Sequence, residues 1–287
     1  MIERLCIIGV GLIGGSLALA LRRAGRCREI VGVGRHRQRL EKARALGVID
    51  RYETDTGQGV KGADLVVVAV PLGAMEGQFR AMQGHLAAQT VVTDVGSAKR
   101  CVLDAAKVAF GHVPSNLVPG HPIAGTEKSG VEASFASLFE GHRVILTPVA
   151  ETSPSALVRV RDMWLAVGAE VAQMPPAVHD EVLAATSHLP HVLAYTLVDV
   201  LGTLNERVEI FRNAAGGFRD FTRIASSDPK MWHDICLANS DAITAVLQDL
   251  MVELGQITAA IERRDGEAIQ ALFERAKVLR DRYAGMA

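Results

Sequence analysis

Disulfide chemistry, a dominant charge and a long uninterrupted apolar run are all missing from this chain, and each absence narrows what it does. Cysteine occurs four times in 287 residues, as Cys6, Cys27, Cys101 and Cys236, with no C-x-x-C spacing. The expectation is a reduced, cytoplasmic protein that needs no disulfide for stability. Lysine and arginine number 31 against 32 acidic residues, a net charge of -1. That balance gives no general attraction to nucleic acid or an anionic membrane, so any anion binding is local. No stretch reaches the roughly 20 apolar residues of a membrane span. Leu5 to Leu21 is uncharged and follows Arg4 as in a signal peptide, but Gly9, Gly11, Gly14 and Gly15 interrupt it. Its first half reads as strand and turn. Internal repeats and low-complexity tracts are also lacking.

The length suggests two domains, each able to bury its own core. In the first half, short apolar strands alternate with helix-period segments, the pattern of a parallel sheet covered on both faces. Strands are predicted at Leu5–Ile8, Ile30–Val33, Leu65–Val70, Val91–Asp94, Asn116–Val118, Val144–Thr147 and Glu170–Gln173. Met174-Pro175-Pro176 then marks the boundary. Beyond it apolar positions recur at three and four, so that half is helical. His179–Leu204 reads as one long helix in which Pro190 predicts a kink or break near Leu189. The fold class is α/β, a doubly wound parallel dinucleotide-binding sheet over 1–174, followed by an all-α substrate-binding and dimerisation domain over 175–287. The homodimer is expected because the apolar stripes of the last helices exceed what a small helical domain can bury alone.

Gly9-Val10-Gly11-Leu12-Ile13-Gly14 follows an apolar strand and opens a helix pattern. Gly9 permits the tight turn, Gly11 lets the backbone approach a pyrophosphate, and Gly14 allows close helix–strand packing. The helix opening at Leu12 and Ile13 favours the anion. The second strand ends in Gly34-Arg35-His36-Arg37, with no acidic residue to accept from ribose hydroxyls. Arg35 and Arg37 suit a 2′-phosphate, so NADP is expected in preference to NAD. Val70 and Pro71, and Asp94 with Ser97, lie at carboxyl ends of parallel strands, where open α/β sheets bind ligands. Asp94 and Ser97 also read as ordinary helix caps.

A lone histidine is more often packed or on a surface loop than catalytic, but His121 stands between Gly120 and Pro122, with Gly125 after it. The backbone is turned sharply at a strand end with no helix or sheet to explain it. Beside a nicotinamide, such a histidine can take a proton while hydride leaves a hydroxyl-bearing carbon. In the helical half, His188 and His191 are three apart and share a helix face. A metal site would need a third ligand that nothing nearby supplies, so none is expected. Arg219 and Arg223, four apart after Gly216-Gly217 and shortly before Trp232, are suited to holding carboxylates.

These motifs together resemble the prephenate/arogenate (cyclohexadienyl) dehydrogenases of tyrosine biosynthesis over nearly the whole chain. The specific parts are Asp94-Val95-Gly96-Ser97, Gly120–Gly130 with its His-Pro-Ile-Ala-Gly-Thr-Glu core, Ser187–His191 and Phe218–Trp232. The resemblance implies oxidative decarboxylation of a ring bearing a C4 hydroxyl. It makes His121 the proton acceptor, with Ser97 hydrogen-bonded to orient it. It gives Arg223 a substrate carboxylate, sets Arg219 beside it, makes His188 and His191 pocket histidines, and puts Thr126, Glu127 and Trp232 at the cleft. It also implies turnover that rises with pH through the histidine range. A chain of this length is expected to lack a mutase segment before it and a regulatory domain after it, so control by tyrosine would fall on the active site.

Two rival readings remain. β-Hydroxyacid dehydrogenases share the domain plan but use a lysine on the helical domain, and none stands between 178 and 220. A dinucleotide-sensing module without turnover would not need His121, Ser97 and two arginines.

Overall fold

Strand β1 (Ile2–Ile8) alternates its side chains between two cores: Leu5 and Ile7 pack on one face, Cys6 and Ile8 on the other. Leu65 and Val67 against Val66 and Val68 repeat the pattern in β4 (Leu65–Val68). Burial on both faces is why these strands read as unbroken apolar runs. In the computed structural model, which describes residues 1–208 and 210–284, these strands sit at the centre of a six-stranded parallel sheet of order β3-β2-β1-β4-β5-β6. The other members are β2 (Cys27–Val33), β3 (Arg51–Glu53), β5 (Val91–Asp94) and β6 (Leu117–Val118). This is the doubly wound order, and ligands are expected at the carboxyl ends of its strands.

Helices α1 (Leu12–Arg23), α2 (Arg37–Ala45), α3 (Thr56–Gly59), α4 (Met75–Met82) and α5 (Arg100–Phe110) form the connections. A second sheet of order β7-β8-β9 joins Gly120–Pro122, Arg143–Leu146 and Glu170–Gln173, with α6 (Pro154–Ala166) before β9. Here β7 runs antiparallel to β8, pairing His121 with Ile145. The later strands therefore do not extend the parallel sheet, as the sequence pattern suggested. His121 also owes its rigidity to a short strand rather than to loop glycine and proline alone.

Helix α7 (Pro176–Leu183) starts on the predicted proline boundary and runs through a π-helical turn, Ala184–His188, into α8 (Leu189–Val208). Proline at 190 cannot donate a backbone hydrogen bond, and the kink expected near Leu189 appears as this wide turn just before it. Then come α9 (Gly216–Thr222), α10 (Pro229–Ala238), α11 (Ser240–Glu262) and α12 (Gly266–Ala284). By compactness the chain forms two units, Met1–Ser240 and Asp241–Ala287. Residues 209 and 285–287 of the predicted helical half lie outside the described set. Among the described residues no single helix is long and apolar enough to cross a membrane.

Candidate functional site

The glycine loop between β1 and α1 has the shape that its motif requires. Gly9 has φ +96°, and a Cβ there would stand 2.3 Å from the Ala69 carbonyl oxygen. At Gly14 a Cβ would meet the Gly9 oxygen at 2.4 Å, so both positions admit only glycine. Gly11 differs: nothing lies within 4 Å of its ideal Cβ, and no side chain caps the helix that begins at Leu12. Open space beside uncapped amides, including those of Leu12 and Ile13, is a cradle for a pyrophosphate, so the loop fits a dinucleotide. Val70 and Pro71 follow β4 at the same edge of the sheet.

At the end of β2, Arg35 is exposed and its side chain pairs with no described residue. Arg37 is engaged: its Nε donates to Glu41 at 2.9 Å, and its guanidinium lies 6.0 Å from the Tyr52 ring centre. Tyr52 donates to the same Glu41 oxygen at 3.0 Å.

Asp94 ends β5 fully buried, and its carboxylate is saturated from within the protein. Oδ2 accepts from Lys99 Nζ at 2.5 Å and from Gly96 N at 2.7 Å, while Oδ1 accepts from Gly120 N at 3.2 Å. Lys99 is itself fully buried and donates from Nζ to the Gly120 carbonyl at 2.6 Å. This ion pair ties the end of β5 to the residue immediately before His121, and it gives Asp94 a role other than direct contact with cofactor.

His121 is buried, and its Nδ1 lies 2.9 Å from Nε2 of His179, with the two rings edge to face. His179 Nδ1 lies 2.8 Å from Asp180 Oδ1. Asp180 also accepts from the backbone N–H of Lys99 at 2.7 Å and of Arg100 at 3.0 Å, capping α5 from a different helix. Burial pushes the Asp180 carboxyl up, but bonds from His179 and the two backbone amides outweigh it and hold it below the usual range. Burial, then the Lys99 ammonium and the neighbouring His179 and His188, hold His121 well below its ordinary 6.5. Burial and these neighbours all favour the neutral imidazole, so His121 titrates below the ordinary histidine range rather than through it. Ser97, half-buried in the bend before α5, makes no side-chain bond to His121; the partner in that place is His179.

On the helical side, His188 is fully buried, and burial, with a smaller contribution from the neighbouring His179, lowers its pKa to about 4. Its Nδ1 accepts from Asn239 Nδ2 at 3.2 Å, and the same amide group donates to the Asp180 carbonyl at 2.8 Å. Among the described residues His188 Nε2 has no partner at hydrogen-bond geometry although the Ser97 backbone lies nearby, and Trp232 Nε1 is likewise buried without one. His191 stacks on Trp232 with ring centres 3.7 Å apart, and its Nδ1 lies 2.9 Å from the Ser187 carbonyl. Arg223 lies within electrostatic reach of His191 and is ion-paired with Glu127, which reaches it from the exposed segment after β7. Thr126 accepts from the Lys128 amide in that segment. Arg219 is exposed on α9 without a described side-chain partner.

The fold thus assembles His121, His188, His191, Trp232, Arg223 and Glu127 from segments far apart in sequence, and leaves Arg219 outside their contacts. Sequence reasoning missed Lys99, His179, Asp180 and Asn239. The available signal was His179-Asp180, three and four residues after Pro176, two polar residues on the inward face of a helix. Among the described residues no three His, Cys, Asp or Glu side chains are arranged to hold a metal ion.

Two family models match: "Prephenate dehydrogenase, nucleotide-binding domain" over residues 17–173 and "Prephenate dehydrogenase, dimerization domain" over 175–275. The chain is 38% identical to a cyclohexadienyl dehydrogenase of Zymomonas mobilis, covering 97% of this chain and 95% of that one. It is 37% identical to a prephenate dehydrogenase of Bacillus subtilis, covering 98% and 76%. It also superposes on the prephenate dehydrogenase of Aquifex aeolicus in complex with hydroxyphenyl propionate and NAD+ with a TM-score of 0.91, at 36% identity and 98% coverage of both chains.

Proposed function

The chain belongs to the prephenate dehydrogenase family and has prephenate/cyclohexadienyl dehydrogenase function, and from that premise we propose that it oxidatively decarboxylates prephenate, arogenate or both, with NADP in preference to NAD. The observation that carries the mechanism is the anchoring of His121 through Nδ1 on His179, which leaves Nε2 without a partner among the described residues, in surroundings that favour the neutral ring.

In this reading Nε2 of His121 accepts the proton of the C4 hydroxyl as carbon dioxide leaves and the ring becomes aromatic. Bound oxidised nicotinamide supplies the hydride acceptor. Gly9, Gly11, Leu12, Ile13 and Gly14 would hold the pyrophosphate, with Val70 and Pro71 beside the same sheet edge. Ser97 would contact the substrate rather than His121. Arg223 would exchange Glu127 for a substrate carboxylate, with Arg219 assisting from α9. The N–H groups of His188 and Trp232, with His191 stacked beside them, would complete the pocket, and Thr126 would line its mouth. NADP preference rests on Arg35, which is exposed and uncommitted; Arg37 would have to leave Glu41 to help it.

Reduced-cofactor formation, followed with prephenate and arogenate against each cofactor, tests this reading. Turnover with an NADP preference of about 10-fold, lost in Arg35→Ala, is expected. A preference for NAD would overturn the cofactor assignment, and no turnover with any pair would overturn the substrate assignment.

A boundary at 174, with cofactor binding before it and substrate binding and dimerisation after it, belongs to the same proposal. Dimerisation is supported by exposed apolar side chains on the last helices, among them Met251, Val252, Phe273, Leu279 and Tyr283. A monomer by light scattering at micromolar concentration would contradict it. All four cysteines are unpaired, which suits a reducing, cytoplasmic location.

A further inference from the structure

The ring hydrogens of His121 and His179 have one consistent assignment. Asp180 Oδ1 accepts from Lys99 N, and Oδ2 accepts from Arg100 N at 3.0 Å and Arg100 Nε at 3.3 Å. A carboxylate surrounded by three such donors is ionised and can only accept, so His179 Nδ1, 2.8 Å from Oδ1, carries hydrogen. Neutral His179 then presents a bare Nε2. The 2.9 Å contact to His121 Nδ1 needs one hydrogen between two nitrogens, and His121 must provide it. Neutral His121 is left with a bare Nε2. A free histidine favours the opposite tautomer, with hydrogen on Nε2, which cannot accept a proton there.

We propose that His179 and Asp180 are positioning residues that hold His121 in the tautomer whose Nε2 is open to the substrate hydroxyl. The inference rests on His121 being the base. Lys99 ties the two ends of the row together: its backbone N–H meets Asp180, and its ammonium meets the carbonyl of Gly120, next to His121. The groups that face His121 are Lys99 at the start of α5, His179 with Asp180 on α7, and His188 in the π turn; Asp94 lies behind Lys99.

The test is nitrogen NMR of the full chain with labelled histidine at neutral pH, assigned with His121→Asn and His179→Gln, together with kinetics. In the wild type, both His121 and His179 are expected as Nδ1–H tautomers. Asp180→Asn can offer an N–H to His179 Nδ1 and so reverse the row. The His121 hydrogen should move to Nε2, and kcat should fall about 10³- to 10⁴-fold, the upper figure being that of a buried carboxylate behind a catalytic histidine replaced by an amide, with KM changed less than about threefold. The pH profile should move in both Asp180→Asn and His179→Gln. If His121→Asn left kcat unchanged, the base itself would be wrong and this inference would go with it. If His121→Asn abolished turnover while wild-type His121 carried its hydrogen on Nε2, or while both row variants kept kcat and pH profile, only the row would be overturned. Asp180 also caps α5, so if its variant does not fold, the wild-type spectrum and His179→Gln decide.

Discussion

The cofactor loop and the histidine row lie in one compact unit and are built in opposite ways. At Gly9–Gly14 the working material is backbone, and side chains are kept out by contacts of 2.3 and 2.4 Å. Around His121 the working material is side chains, and Asp94, Lys99, His179, Asp180 and Asn239 are all buried and bonded to one another or to backbone. The loop leaves space, whereas the row leaves one ring nitrogen, Nε2 of His121, without a partner among the described residues. Substitutions should therefore act differently in the two regions: in the loop through what is added, in the row through what is removed.

The largest expected effect is on turnover. His121→Asn keeps a polar group of similar size but removes the proposed base, so kcat should fall at least about 10³-fold with KM changed less than about threefold. Exposed His112→Asn serves as the control, and equal losses in both would break the contrast. Next comes stability. Lys99→Met leaves the Asp94 carboxylate buried without its cation, at an expected cost of about 3–5 kcal/mol by chemical denaturation; a change under about 1 kcal/mol would show that Asp94 has another way to be satisfied.

The row and its neighbours should also make the fold sensitive to acid. His121, His179, His188 and His191 all have folded pKa values below the ordinary 6.5. The unfolded chain therefore binds their protons first. Stability should be full above pH 6.5 and decline as pH falls from there through the folded values. For His188 alone, the lowering from 6.5 to about 4 corresponds to a loss on the order of 3 kcal/mol. A flat urea midpoint between pH 7 and 5 would contradict this. The smallest effect belongs to the open position of the loop. Gly11→Ala adds a methyl group where nothing lies within 4 Å, so Tm should not move. Cofactor binding should nevertheless weaken by about 1–2 kcal/mol, measured by titration, because the backbone can no longer approach the pyrophosphate closely.

The same contrast explains what was legible in the sequence. The glycine loop, the main strands and the helix start at Pro176 follow from local rules, because each needs particular residues at fixed short spacing. β3 was missed because it has three residues, two of them charged, and β7 because Gly-His-Pro has the composition of a turn. The resemblance pointed to Ser97 as the partner of His121. Finding His179 instead required knowing that residues 58 apart meet. Lys99 looked like an unremarkable helix-start residue, and only the packed interior reveals that its ammonium is buried. Roles that depend on one residue's own backbone can be read along the chain; roles shared among 94, 99, 121, 180 and 239 cannot.

The π turn at Ala184–His188 also has a bearing on how this helix tolerates change in length. An α-helix rotates by about 100° for each residue, and a π turn holds roughly one residue more than an α turn. It therefore acts as an inserted step of phase between α7, which carries His179 and Asp180, and α8, which carries His191 and Tyr195. Loss of one residue from 184–188 would let the helix run on regularly, but it would turn all 20 residues of α8 relative to α7. His191 would leave Trp232, and Tyr195 would leave the Ser227 carbonyl that it now meets at 2.6 Å. Substitutions in this turn change one side chain, whereas a single-residue deletion would re-aim an entire wall of the pocket.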